Sequence, residues 1–451
     1  MRLSFVTPAS PPGRTEGTSP EPRSFRPRAS KDAEEAYFAL KTDLHRRLIE
    51  RLNLAGLTHR PPEQVRAEVD EQVTLLLKED GRPLNQDESQ RLVDDLMHEL
   101  LGFGPLEPLL QDPDVSDILV NTAREVYVER FGRIELTPVR FADEQHLLRV
   151  IERIVDKVGR RIDEGQPMVD ARLPDGSRVN AVVPPIAVDG ALLSIRRFSR
   201  VPYDLERLTE AGALDSGGAT LLRGLVACRF NILISGGTGT GKTTLLNAMS
   251  QGIDPRERII TIEDAAELQL QQRHVVRMET RPPNIEGRGE ITQRELVRNA
   301  LRMRPDRIIV GEVRAGEAFD MLQAMNTGHD GSLTTIHANS PRDALSRLEQ
   351  MIGMAGLDLA PRAMRSQIAS AIDVVVQLRR FPDGVRRVVS VQEVQGMEGD
   401  VITLQEVYRF EPSRADERGR SKGRFAWTGL RPDFLEVFQA QGAPVPEGPV
   451  A

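Results

Sequence analysis

The sequence predicts an α/β protein with three structured parts, and three patterns along the chain support this prediction. From about residue 215, strand-sized apolar runs alternate with helical segments, which is typical of a parallel sheet flanked by helices. Residues 103–200 combine hairpin signals with one strong helical pattern, which indicates a second, smaller α/β domain. Residues 31–102 carry leucine and valine at helical spacing, which indicates a helical bundle.

Length and composition limit the possible classes of protein. The chain has 451 residues, 39% hydrophobic and 28% charged, so two or three soluble globular domains are expected. No apolar run approaches the roughly 18 residues of a membrane span, which predicts a cytoplasmic protein. The net charge of −7 argues against a nucleic-acid partner. The single cysteine, Cys228, excludes a disulfide framework within one chain.

The front of the chain divides into a tail and a bundle. Residues 1–30 are rich in proline, serine, glycine and charge, which predicts a disordered tail. Residues 31–102 are predicted to form the helical bundle, with Asn85 and Glu88 as a capping pair and Gly102 ending the last helix. The bundle is either a mobile docking module or a packing lid.

The remaining boundaries follow from turns and changes of pattern. The α/β domain of 103–200 contains a hairpin turn at "PDG" and another turn at Phe131–Gly132. Residues 201–217 are predicted as a linker and 218–383 as the domain with the parallel sheet. Residues 384–451 are predicted as an antiparallel β appendix with a frayed tail.

A glycine-rich stretch, "SGGTGTGKTT", follows the apolar run "NILI" and contains the pattern G-x-x-x-x-G-K-T. Glycines permit the positive-φ turns and the close backbone approach that a phosphate group requires. In this pattern Lys242 reaches the β- and γ-phosphates, the Thr243 hydroxyl binds Mg²⁺, and the following helix directs its positive end at the phosphates. The predicted nucleotide-binding residues are Gly236, Gly237, Thr238, Gly239, Thr240, Gly241, Lys242, Thr243 and Thr244. Because no guanine-reading N-K-x-D follows, ATP is favoured over GTP.

Three further polar clusters stand near the ends of predicted strands, where an open α/β sheet binds its ligand. "TIEDAAE" places Glu263 directly after one strand, and "RIIVGE" places Glu312 after another. "TGHDGSLTTIHAN" places His329 before a strand and His337 at its end. Acidic and imidazole groups that converge on one phosphate loop predict catalysis, with His329 assigned to nucleotide contact.

The residue before Glu312 is Gly311, where the usual Walker B strand carries aspartate. The Mg²⁺ site therefore lacks its customary carboxylate. Glu312 is expected to supply that charge, directly or through metal-bound water, which leaves Glu263 to orient the attacking water.

These motifs together resemble the secretion ATPase superfamily, which powers type II and type IV secretion and type IV pili. In that family's terms, 236–243 is the Walker A loop, 261–267 the aspartate box, 306–314 an atypical Walker B and 328–339 the histidine box. The blocks "LVRNALRMRPDRIIVGEVR" and "AMNTGHDGSLTTIHANSPRDALSRLE" look most like the branch that drives tight-adherence (Flp-type) pili.

The resemblance implies a RecA-like P-loop ATPase domain, preceded by a PAS-like α/β domain and the helical bundle. It further implies a homohexameric ring whose smaller α/β domain brings arginines to the phosphates. The candidate arginines are Arg178, Arg196 and Arg197.

The resemblance also implies a motor that uses ATP and Mg²⁺, held at the cytoplasmic side of the inner membrane by a platform protein. Its cargo would be a tight-adherence or type IV-like pilus, during assembly or retraction, or a type II pseudopilus. Two alternatives remain: a type IV secretion or conjugation motor with the same chemistry, and a nucleotide-gated scaffold with little turnover.

Overall fold

The computed structural model describes residues 31–52, 60–81, 84–130, 132–197, 203–281, 283, 288–357, 359–414 and 421–446. The tail predicted over 1–30, Phe131 of the predicted turn, and the last residues of the chain lie outside this description. The chain divides into two compact units, residues 1–107 and 108–451.

The first unit contains three helices, Lys31–Arg51, Pro62–Glu79 and Gln86–Leu101, followed by a short 3-10 turn at Gly104–Leu106. One face of each helix contributes to a shared apolar core, as the leucine and valine spacing predicts. Asn85 and Glu88 form a reciprocal capping box at the start of the last helix, and Gly102 ends it. A short helix, Glu107–Gln111, crosses into the second unit.

The second unit begins with a six-stranded antiparallel sheet. Its strands are β1 (Val115–Thr122), β2 (Glu125–Arg130), β3 (Arg133–Leu136), β4 (Met168–Arg172), β5 (Arg178–Val182) and β6 (Leu192–Arg196), in the order β3-β2-β1-β6-β5-β4. The predicted hairpin at "PDG" joins β4 and β5, with Gly176 at φ +92°. Helix Glu144–Asp156 begins at the side-chain cap Asp143 and buries one apolar face.

The segment predicted as a linker, which connects the six-stranded sheet to the next sheet along the chain, contains helical structure. Helix Leu205–Glu210 begins at Asp204, and helix Ser216–Ala227 begins at Asp215; both aspartates accept a hydrogen bond from the first turn. Leu205 and Leu214 are buried in the core of the following domain. The segment therefore packs as part of that domain.

A nine-stranded sheet forms the rest of the second unit. Its strands are β7 (Ile232–Gly236), β8 (Ile259–Glu263), β9 (Val275–Glu279), β10 (Arg307–Val310), β11 (Leu333–Ile336), β12 (Val374–Arg380), β13 (Arg386–Glu398), β14 (Val401–Ser413) and β15 (Lys422–Trp427). The order is β15-β14-β13-β12-β7-β11-β10-β8-β9, and the six strands from β12 to β9 run parallel.

Helices cover the parallel strands, which explains their apolar runs. β7, β8, β10 and β11 are buried along their whole length. The described helices between β7 and β12 are Lys242–Ser250, Gln293–Ala300, Glu317–Met325, Pro341–Met354 and Pro361–Ala371. This arrangement is the RecA-like α/β fold that the sequence predicts, with β11 between β7 and β10.

The antiparallel strands predicted after residue 384 continue this sheet, because β13 pairs directly with β12. The final helix, Phe434–Gln441, packs its phenylalanines on helix Ser216–Ala227, where Gly224 leaves room for Phe438. A Cβ atom at Gly224 would lie 2.3 Å from the Phe438 ring. Among the helices of the described ranges, none combines the length and the apolar character needed to cross a membrane.

Candidate active site

The glycine loop joins the end of β7 to the first residue of helix Lys242–Ser250. Gly239 and Gly241 adopt φ of +69° and +92°, a conformation that favours glycine. At Gly236, a Cβ atom would lie 2.5 Å from Oγ1 of Thr240 and 3.0 Å from the carbonyl oxygen of Leu378. The loop therefore depends on glycine for both its turns and its close packing.

Lys242 lies inside this loop with only 7% of its surface exposed. Its ammonium donates to the carbonyls of Gly236 and Gly237, at 2.9 and 3.1 Å. Burial lowers the pKa of Lys242, although the Glu312 carboxylate acts in the opposite direction. Thr243 and Thr244 occupy the next two positions of the helix and are half-buried.

Two neighbouring strands bring His337 and Glu312 to the lysine. His337 follows β11, and its Nε2 lies 3.3 Å from Nζ of Lys242 and 2.6 Å from Oε1 of Glu312. Burial, together with the ammonium of Lys242, lowers the pKa of His337, against the Glu312 carboxylate, which acts to raise it. The other carboxylate oxygen of Glu312 accepts from Arg314 at 2.7 Å, and Arg314 also reaches Asp264 at 2.8 Å.

Glu263 ends β8 and is 3% exposed. Its Oε2 accepts from the backbone N–H groups of Glu267 and Leu268 at 2.7 and 2.9 Å. Its Oε1 is buried and has no hydrogen-bond partner among the residues that the structure describes. Burial raises the pKa of Glu263 to about 7, against the two N–H groups, which act to lower it. A buried carboxyl with one unpaired oxygen and a near-neutral pKa is suited to proton transfer.

The three candidate arginines have different environments. Arg178, on β5, pairs with Glu267 at 2.9 Å and so reaches the loop that holds Glu263. Arg196 lies in register with Arg178 but pairs with Asp117 at 3.1 Å, within its own sheet. Arg197 does not lie with these groups, because its guanidinium donates to the backbone carbonyls of Asp112 and Val115.

His329 lies where the parallel strands of the nine-stranded sheet begin, at the end of the sheet opposite to the glycine loop. It precedes β11, and its carbonyl accepts from the hydroxyl of Ser332 at 2.8 Å. The backbone N–H of Ser332 in turn donates to Asn231, just before β7. Because β7 and β11 are parallel, this is the edge where both strands begin, whereas the glycine loop follows the end of β7. Within one chain, the structure therefore does not bring His329 to the glycine loop, where its contact with nucleotide was predicted.

Sequence reasoning did not single out Arg380 and Arg386, which lie beside the glycine loop, or Glu129, which pairs with both arginines. Arg386 donates to the carbonyl of Gly239 at 2.8 Å and to Glu129 at 3.2 Å. The available signal was the turn "FPDG" flanked by arginines, directly after a strand that neighbours β7.

Comparison with known proteins identifies the family. The family model described as "Type II/IV secretion system protein" matches residues 99–418. The chain belongs to this family. A putative conjugal transfer protein of Mycobacterium tuberculosis is 43% identical over 312 residues, 68% of this chain and 88% of the relative. The type IV secretion system protein PtlH of Bordetella pertussis is 37% identical over 313 residues, 62% of this chain and 91% of the relative.

A solved structure of the VirB11 ATPase from the Brucella suis type IV secretion system is 31% identical to the chain. It aligns with a TM-score of 0.35 over 64% of this chain and 95% of that one. The predicted resemblance to the secretion ATPase superfamily is confirmed for this type II/IV secretion system family member. Its assignment to the tight-adherence branch stays a prediction.

Proposed function

We propose that this chain hydrolyses ATP and works as a motor of a type II/IV secretion or pilus machine. The observation that carries the proposal is the series of contacts from Lys242 through His337 to Glu312. It brings the ends of β7, β11 and β10 together beside a glycine loop shaped for phosphate.

Lys242 is prepared for a polyphosphate ligand. Its ammonium is buried against two neutral carbonyls, and burial disfavours its charge. Phosphate oxygens at the loop would supply the missing negative charge, while the backbone N–H groups at the start of helix Lys242–Ser250 would donate to them. Phosphate binding would therefore offset the cost of burying the charge of Lys242.

Glu263 is the residue we assign to the attacking water. Two backbone N–H groups fix one of its oxygens and leave Oε1 to accept a proton. Its pKa of about 7 keeps part of the population ionised at neutral pH while leaving the group basic enough to accept a proton. Glu312, tied to His337 and Arg314, would hold the charge balance next to Lys242 rather than take the proton.

Two side chains of the site, those of Thr243 and Glu312, could act as Mg²⁺ ligands. Hydroxyl and carboxylate oxygens are ligands that Mg²⁺ prefers, and Thr243 and Glu312 provide them. Oε2 of Glu312 accepts from Arg314, whereas the buried Oε1 lies 2.6 Å from Nε2 of His337 but has no hydrogen-bond partner among the described residues. Oε1 would therefore be the oxygen that faces Mg²⁺, directly or through water. Mg²⁺ bound with the nucleotide would neutralise phosphate charge.

A motor role also requires an oligomeric assembly and a partner on which the assembly acts. We propose a homohexamer that acts on the cytoplasmic side of the inner membrane through a platform protein, with ATP closure converted into domain movement. The cargo falls into one of two classes. The first class is assembly or retraction of a pilus, or assembly of a type II pseudopilus. The second class is type IV secretion or conjugation. The relatives include a putative conjugal transfer protein and a type IV secretion system protein, which favours the second class.

The test of the enzymatic proposal compares phosphate release by the full-length protein and by Lys242→Ala. We expect ATP-dependent release that the substitution abolishes. Equal release from both proteins would overturn the proposal, and binding without release would favour the scaffold alternative. Co-purification of the ATP-bound protein with membrane extracts then decides the cargo: a pilus platform protein supports the first class, and a conjugation or secretion channel component the second.

A further inference from the structure

An arginine from the β12–β13 hairpin donates a hydrogen bond to the backbone of the glycine loop, on the side of the loop that faces this hairpin. Arg386 is the first residue of β13, and its Nε donates to the carbonyl of Gly239 at 2.8 Å. A Cβ atom at Gly241 would lie 3.3 Å from Cδ of Arg386. The Arg386 side chain therefore lies against the loop at both Gly239 and Gly241.

A second arginine lies beside the first. Arg380 ends β12 and pairs with Arg386 across the hairpin. Its guanidinium would be 3.1 Å from a Cβ atom at Gly239, and it donates to the carbonyl of Gly132. Two cationic groups thus lie against the same loop.

The carboxylate that balances them comes from the other sheet of the same unit. Glu129, on β2, lies 3.2 Å from Arg386 and 3.7 Å from Arg380, with 13% of its side chain exposed. The turn after β2 also touches the hairpin, since a Cβ atom at Gly132 would lie 2.9 Å from the carbonyl oxygen of Gly384. The six-stranded sheet is thereby linked to the glycine loop through side chains and backbone.

We propose that Glu129 and Arg386 are a positioning pair, which fixes the outer face of the glycine loop and makes nucleotide affinity depend on the seating of the six-stranded sheet. This inference rests on the proposed nucleotide binding at that loop. The hydrogen bond from Arg386 to the Gly239 carbonyl limits the conformations from which the loop must be ordered around phosphate. A preorganised loop loses less conformational entropy on binding and so binds more tightly.

The sign of the Glu129 effect separates positioning from simple attraction. If Glu129 acted only as a negative charge near the phosphates, Glu129→Gln would tighten nucleotide binding. If Glu129 positions Arg386, the same substitution weakens binding, because the arginine loses its charged partner. The two accounts therefore predict opposite changes in Kd.

The experiment measures the Kd of a fluorescent ADP analogue for the full-length protein, Arg386→Ala, Arg386→Lys, Glu129→Gln and the double variant Glu129→Gln/Arg386→Ala. The control is Arg424→Ala, on β15, which removes an exposed arginine whose Nε lies 2.8 Å from Glu411. The unfolding midpoint of each protein without nucleotide is recorded as a check on folding.

We expect Arg386→Ala to raise Kd about tenfold, the loss of one charge-assisted hydrogen bond. Arg386→Lys should lie between Arg386→Ala and wild type, and Glu129→Gln should raise Kd about threefold. Arg386→Ala should cost less in the Glu129→Gln background than alone. Arg424→Ala should match wild type.

Wild-type affinity in Arg386→Ala, or tighter binding in Glu129→Gln, would overturn the inference while leaving nucleotide binding intact. Additive effects of the two substitutions would also overturn it. Failure of the wild-type protein to bind nucleotide would instead contradict the proposed function. If Arg386→Ala does not fold, the measurements on Arg386→Lys and Glu129→Gln decide by the same criteria.

Discussion

Glu263 occupies the space that a side chain at position 311 would need. A Cβ atom on Gly311 would lie 2.8 Å from Cγ of Glu263 and 3.5 Å from its Oε2. Glu263 is the last residue of β8, and Gly311 directly follows the neighbouring parallel strand β10. The glycine that replaces the usual Walker B aspartate therefore makes room for a carboxylate from the adjacent strand.

This relationship predicts that side chains at position 311 impair catalysis. Gly311→Ala should push Glu263 from its backbone donors and lower kcat at least tenfold, with a smaller change in the Kd of ATP. Gly311→Asp should be worse, because it adds a second carboxylate in the same space. Steady-state phosphate release and nucleotide binding measure both effects.

The matched control is Gly353→Ala, in helix Pro341–Met354, where a new Cβ would meet no atom of the described residues within 4 Å beyond its own helix backbone and chain neighbours. It should keep wild-type turnover. Normal kcat in Gly311→Ala would show that the close packing of Glu263 is irrelevant to the reaction.

The buried carboxyl of Glu263 should also make stability depend on pH. Its pKa is about 7 in the folded protein and near 4.5 in the unfolded chain, so the folded state binds more protons between these values. Stability therefore falls as pH rises through this window. Glu263→Gln removes the cost of ionising the buried group, so relative to wild type it should gain about 1–3 kcal/mol in free energy of unfolding between pH 5 and pH 8.

Chemical denaturation of both proteins at the two pH values measures this difference. The full-length wild type and the glutamine variant differ by one group, so other titrations cancel. Parallel pH dependence of the two proteins would mean that Glu263 is ionised in the folded state over the whole range.

We expect Arg178 to contribute to catalysis and Arg197 to contribute to stability. Arg178→Ala should lower kcat about tenfold with little change in ATP affinity, because Arg178 pairs with Glu267, whose N–H holds Glu263. Arg197→Ala should lower the unfolding midpoint instead, because its guanidinium ties two backbone carbonyls together. Activity and thermal unfolding of both variants separate the roles, and a catalytic loss confined to Arg197→Ala would contradict this division.

Much of the fold was predictable because its patterns are local. The capping pair at Asn85 and Glu88, the "PDG" hairpin and the buried runs of β7 and β8 depend on residues close in sequence. The glycine loop was predictable for the same reason. The continuity of β13 with β12 was not, since the pairing partner of a strand is set by tertiary packing.

The arginines show where sequence reasoning stopped. Arg196 is the last residue of β6 and Arg197 lies just beyond it, and the two side chains contact different groups. Which one shares a face with Arg178 depends on register, and the pairing of β5 with β6 aligns Arg178 with Arg196. Arg386 was missed because its contact with Gly239 joins residues 147 positions apart.

The most direct test of the account is the comparison of Glu263→Gln with Glu312→Gln in ATP binding and steady-state phosphate release. We predict that Glu263→Gln binds ATP within about twofold of wild type and loses roughly 10²–10⁴ in kcat, the contribution of a general base. Near-normal turnover in Glu263→Gln together with its loss in Glu312→Gln would contradict the assignment and transfer the role to Glu312.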